Sequence, residues 1–281
     1  MNRIPSLVAT LALVCALPAQ DEKPKPKKPS WPKLSSKDAS RAKLMLRKIG
    51  SEDEEVATEA ESALVEIGPG AAKMMFRKLA TKNGDSDVNE AIARVLDQVL
   101  AKDHAPLLAP MLGHKSVTVR RYASQRIARF HVKELIAPLR KATKDEDELV
   151  VFHAALGLTG IGDFEKFDVV FDTCNEDWRT HATVVAEVLE PMRGKVGLDA
   201  LRPRLDRRKD QQTQITALRL LRTLCPKSHA GLAASFLEAE DHAIKKEAIN
   251  ALRAIVDGDP PLENLSVFQA IEHAKKWKAR V

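Results

Sequence analysis

One apolar pattern recurs seven times along this chain at intervals close to 31 residues, and it constrains the fold more than any other feature. A central residue is followed by further apolar residues three, four and seven places on, the spacing of one face of a 3.6-residue helix. The centres are Ala60, Ile92, Ala123, Phe152, Ala182, Ala217 and Ala248, separated by 32, 31, 29, 30, 35 and 31 residues. In "EEVATEAESALVEIG" the face is Ala60, Ala63, Leu64 and Ile67; in "KKEAINALRAIV" it is Ala248, Ala251, Leu252 and Ile255. A unit of this size cannot bury such a face alone, so the units must stack into a continuous core.

A second position supports the register. Seven residues before the centres stand Asp53, Asp85, Ser116, Asp145, Asn175, Asp210 and Asp241. All are residue types whose side-chain oxygen can accept from the free NH groups of a first helical turn, and each is expected to cap its helix. Between these helices runs another helical series, including "AAKMMFRKLA", "APLLAPMLG", "KELIAPLRKA" and "LDALRPRLDRR". Pro110, Pro138 and Pro203 fall inside it and are expected to kink it by removing a backbone hydrogen bond. The overall composition agrees: 44% hydrophobic but only 4% aromatic residues suit closely packed helices.

The period, the kinked first helix, the Asp-capped second helix and Arg120 three residues before a central Ala together resemble the HEAT repeat, in the short bacterial form named for phycobilisome lyases. The resemblance spans residues 38–281. It implies an all-α fold: a right-handed α-solenoid of about seven helical hairpins, closed by "IEHAKKWKARV" as a capping helix. It also implies a partial Asp–Arg ladder between repeats, with Arg120, Arg179 and Lys245 at one equivalent position, and protein binding as the usual role.

Charge and cysteines narrow the setting. The formal charge is +6, yet residues 34–281 hold 39 basic against 37 acidic side chains, so a nucleic-acid partner is disfavoured. Residues 1–19 read as a signal peptide: Arg3 precedes an apolar stretch too short to span a bilayer, and Ala19 offers a cleavage point. Residues 20–37 read as a Pro/Lys-rich linker, in which Trp31 has no evident role. The expected localisation is the periplasm or the cell exterior, as a monomer. Cys174 falls late in a first helix and Cys225 late in a second helix, ends that lie at opposite edges of the array, which argues against a disulfide between them.

No glycine-rich phosphate loop, G-x-S-x-G, C-x-x-C or H-E-x-x-H occurs, and the eight histidines scatter. No catalytic residue, metal site or cofactor is expected. On the second helices, which line the concave side of such solenoids, the outward positions include Arg121, Val150, Ala154, Val184, Arg219, Arg222, Lys246 and Arg253. They suggest an apolar groove with a basic C-terminal end, suited to a peptide or protein segment. Tighter curvature burying the apolar members is the other reading. The leading function is a non-enzymatic exported scaffold. Against it stand a chromophore-lyase-like or DNA-glycosylase-like activity, and polyanion binding by the basic groove.

Overall fold

The computed structural model describes residues 29–81, 86–194 and 198–281. The leader assigned to residues 1–19, the first part of the linker and the cap assigned to Asp85 lie outside the described residues. Capping and apolar periodicity set the helices. Asp53 accepts from the NH groups of Glu55 and Val56, Asp210 from Thr213 and Asp241 from Ile244. Each such cap stabilises its helix by about 1 kcal/mol.

Seven hairpins and a last helix follow in order among the described residues. They are α1 (Ser36–Lys48) with α2 (Glu54–Ile67), α3 (Ala72–Leu79) with α4 (Ser86–Val99), and α5 (Ala105–Leu108) with α6 (Val117–Phe130). Then come α7 (Ile136–Ala142) with α8 (Glu148–Gly160), α9 (Phe167–Glu176) with α10 (Trp178–Leu189), α11 (Leu198–Leu201) with α12 (Gln211–Leu224), and α13 (Gly231–Ala234) with α14 (His242–Leu252). Helix α15 (Val267–Lys278) closes the array, burying Ala270, Ala274 and Trp277. The fold is an all-α solenoid.

The prolines do more than kink the first helices. Pro110 opens a 3-10 turn, Ala109–Gly113, that ends α5 after four residues, and Pro203 sits in another, Arg202–Arg204, that ends α11. Around Pro138 the break comes earlier, at the 3-10 turn Lys133–Leu135. Helix α9 has no proline and runs ten residues. Missing NH donors thus cut α5 and α11 short, while the inner helices paired with them run fourteen residues each.

Two of the expected caps are corrected. Asp147, not Asp145, caps α8 by accepting from Val150, and Asp177, not Asn175, caps α10 by accepting from Thr180. Asp145 is engaged elsewhere: it accepts from Arg120 and from the NH of Asp147. Asn175 lies inside α9, which runs on to Glu176, so Asp177 ends one helix and starts the next. Ser116 holds the cap position of α6 without a side-chain hydrogen bond. From Ser116 to Asp210 the caps now stand 31, 30 and 33 residues apart, in place of 29, 30 and 35.

The two-residue shift went unseen because α8 is apolar all round. Phe152, Ala155 and Leu156 join a C-terminal core that reaches Trp277; Val150, Ala154 and Leu158 join an N-terminal core that reaches Ala42. Helix α8 is therefore the partition between two cores, and either register finds apolar residues to bury. Its glycines permit this. A Cβ on Gly157 would stand 3.1 Å from the Ala128 Cα, and one on Gly160 would stand 2.9 Å from the Val188 carbonyl oxygen.

Helices α6 and α10 meet across α8. Arg129 Nε donates to Glu187 at 2.9 Å, and His131, in the left-handed region at φ 52°, donates from Nε2 to the Val188 carbonyl at 2.7 Å. Second helices two repeats apart can touch only on the inner side of a bend. The second-helix layer is thus the concave one, and it is pinched at its middle.

The N-terminal boundary also moves. Helix α1 starts at Ser36, capped by Ser35, inside the stretch assigned to the linker. Trp31 packs beside Phe76 and stacks on His104, with ring centroids 6.0 and 6.1 Å away. The linker's aromatic residue fastens it to the first repeats.

Candidate binding surface

Helix α6 carries four arginines, each with a partner inside the fold. Arg120 is nearly buried, donating to the His114 carbonyl and to the carboxylates of Asp145 and Glu146, each at 3.0 Å. Arg121 makes a two-pronged pair with Asp147, the cap of α8, at 2.9 and 2.6 Å. Arg126 donates to the carbonyls of Asp97 and Leu100 at 2.6 Å, closing the carbonyl end of α4 where cations are favoured. Arg129 holds Glu187. The helix is a bracket between repeats.

One rung of the expected ladder forms, Arg120 to Asp145. With the caps corrected, His181 replaces Arg179 at the equivalent position, and Arg179 lies exposed. Gln214 holds that position in the sixth repeat. It is buried and donates to the Lys209 carbonyl at 2.6 Å, fastening its own turn as Arg120 fastens His114.

The other expected site residues separate into two groups. Val150 and Ala154 have no exposed surface and Val184 retains 8%. They do not line an open groove: seven residues after the corrected caps, Ala154 and Val184 take the central, core-facing position, and Val150 stands one turn before Ala154 on the same face. Arg219, Arg222, Lys246 and Arg253 do lie along the C-terminal part of it. Arg219 pairs with Glu247 at 3.0 Å and lies 5.4 Å above the Trp178 ring. Arg253 donates to the Pro260 carbonyl at 3.2 Å and pairs with Asp259 at 3.1 Å, and Lys246 donates to the Glu263 carbonyl.

These last contacts belong to a strap. After the π-helical turn Arg253–Asp257, residues 258–265 run without helix along α14. Asn250, 2% exposed, grips this segment by its backbone, accepting from the Leu262 NH at 2.8 Å and donating to the Leu262 carbonyl at 3.3 Å. His242 donates from Nε2 to the Leu265 carbonyl at 2.8 Å. Sequence reasoning placed Lys246 and Arg253 on one outward face but missed that the chain itself covers it. The signal was "DGDPPLEN", whose paired prolines cannot continue a helix.

Arg222 differs from its neighbours. It is half-buried on α12, and among the described residues no carboxylate pairs with it. Burial pulls its guanidinium below the ordinary value, Arg219 adds to this and Glu247 opposes it. Towards the other end, a cleft of about 500 Å³ between α2 and α4 is lined by Thr58, Ser62, Val65 and Gln98, with Glu61 and Arg94 paired across it at 2.6 Å.

The interior offers little chemistry. His153 lies among Phe152, His181 and Arg129; burial, then the charges of Arg129 and His181, lower it to about 4. Cys174 and Cys225 are buried free thiols, which burial raises to about 12 and about 11. Thiols so protonated are poor nucleophiles. Among the described residues no group of three or more His, Cys, Asp or Glu side chains could hold a metal ion, and no helix is long and apolar enough to cross a membrane.

No curated protein matches the chain. A family model described as HEAT repeats matches residues 105–190, the run from the start of α5 to the end of α10 that holds the Arg120 rung and the partition helix. This match falls on three consecutive hairpins of the array, which are similar to HEAT repeats.

Proposed function

We propose that this protein is a non-enzymatic scaffold, exported to the periplasm or the cell exterior, that binds an extended segment of another protein on its concave face. The observation that carries this reading is the strap. Asn250 takes both backbone groups of Leu262, a mode of holding an extended chain that is indifferent to its side chains. The concave layer of the C-terminal repeats thus has the chemistry to hold a peptide. Arg222, next to that layer's occupied part, is a desolvated cation that no carboxylate pairs with among the described residues. An acidic group on a partner would offset its cost of burial. Export rests on the leader-like first nineteen residues.

The test is affinity capture from the envelope fraction of the native host, followed by titration of the captured partner. Arg222→Glu is expected to weaken binding about tenfold or more, as for reversal of a buried interface charge. Arg41→Glu, on the far end of the array, is expected to leave it unchanged. Equal affinity of the Arg222→Glu variant overturns the assignment of this face.

A further inference from the structure

A second surface lies on the opposite layer, along the first helices, and owes nothing to the concave face. Two cavities of about 590 and 840 Å³ share His114 and Lys115 as a common wall and together form one groove across the second to fourth repeats. Its floor is apolar. The half-buried ring of Trp31 lies beside Phe76 and Met111 at one end, and Pro110 and Pro138 line the other.

Its rim is basic. Lys73 and Arg77 stand one turn apart on α3, Lys115 follows at the central wall, and Lys141 and Lys144 stand beyond. All five are exposed, and none pairs with a carboxylate among the described residues. By contrast, Arg121, Arg140, Arg204 and Arg219 each pair with a carboxylate of a neighbouring repeat or turn. The groove's own carboxylates, Asp145 and Glu146, both pair with Arg120, which leaves one excess negative charge against the five rim cations. Beyond them the sign reverses: the next cleft, of about 440 Å³, is lined by Glu148, Asp172, Glu176 and Asp177.

We propose that this groove is a docking site for an acidic, extended protein segment that places one apolar side chain beside Trp31 and Phe76 and lays its carboxylates between the rim cations. Charge complementarity selects the sign of the occupant, and the apolar floor selects a peptide over a bare polyanion, which has nothing to bury there. The acidic cleft beyond Glu146 ends the site by repelling any continuation of the same charge.

The probe is a fluorescein-labelled dodecapeptide of Glu, Asp and Ser with one central Leu, titrated into the full chain and followed by anisotropy. Saturable binding is expected. Lys115→Glu with Lys141→Glu is expected to weaken it at least ~tenfold, and replacing the peptide's Leu by Ser, or Trp31 by Ala, to weaken it about threefold to tenfold. Lys43→Glu on α1 and Arg222→Glu on α12 are expected to leave it unchanged, which separates this site from the concave face. The rim side chains are exposed, so their reversal leaves the helical circular dichroism intact. Lack of saturable binding overturns the proposal, as does binding indifferent to Lys115 and Lys141. It also falls if polyphosphate competes fully while the Leu-to-Ser peptide binds equally well, for that describes a general polyanion surface.

Discussion

Helices α6 and α8 are consecutive inner helices packed on one another, and they are opposite in composition. Helix α6 carries four arginines in fourteen residues; α8 carries one charged residue, Glu148, and is buried along almost its whole length. Read alone, the first looks like a phosphate-binding helix and the second like the wall of an apolar groove. In the solenoid, α6 spends its guanidiniums on the carbonyl end of α4, the cap of α8 and the flank of α10. Helix α8 divides its apolar residues between two cores. A repeat helix serves its neighbours on both sides, so its composition reports on them as much as on solvent or ligand.

The largest expected effect strikes the partition. Phe152→Ala on the C-terminal side and Leu158→Ala on the N-terminal side remove side chains 1% and 0% exposed, and each is expected to cost about 2–5 kcal/mol in urea unfolding and to loosen its own core. A loss below about 1 kcal/mol breaks the claim that α8 is a shared wall.

Acid probes the same place. The folded protein holds His153 near 4 against an ordinary 6.5, so between those values only the unfolded chain takes the proton. Stability from this group is complete above about 6.5 and is lost progressively as the pH falls to about 4, by up to about 3 kcal/mol. His153→Gln is expected to flatten that part of the stability–pH curve; an unchanged slope assigns the acid sensitivity elsewhere.

Closure of α10 onto α8 is sharpened by Gly160→Ala. The new Cβ meets a backbone carbonyl that cannot swing away, and a cost of about 1–3 kcal/mol is expected in thermal unfolding. The smallest pair of effects tests the corrected register. Asp147→Ala is expected to cost about 1–2 kcal/mol, since it removes the cap of α8 and the partner of Arg121. Arg121→Gln, on an exposed side chain, is expected to cost under about 1 kcal/mol. If Asp145→Ala melts the first turn of α8 and Asp147→Ala does not, the correction is wrong.

The legible part of the fold was the part that repeats. Asp53, Asp210 and Asp241 cap their helices as their spacing predicts, because a single aspartate before an apolar stripe has one obvious use. The site was less legible. "KDEDELVVF" offers two aspartates two residues apart, and an all-apolar helix gives no stripe to choose between them. That ambiguity, and the same two-residue choice between Asn175 and Asp177, turned Val150, Ala154 and Val184 outward on paper, whereas the molecule buries them. The unpaired rim cations could not be found by pattern, since pairing depends on which repeats face each other.

The sequence by itself determined the period, the helices and the order of stacking, because these follow from local capping and from apolar faces that only neighbours can cover. The tertiary structure alone decided how sharply the array bends. Curvature sums small offsets between repeats, set here by glycines that let α8 sit close to its neighbours and by Arg129 and His131 reaching two repeats on. That bend determines which inner residues meet solvent and which cations are left over, and so where this protein can bind anything at all.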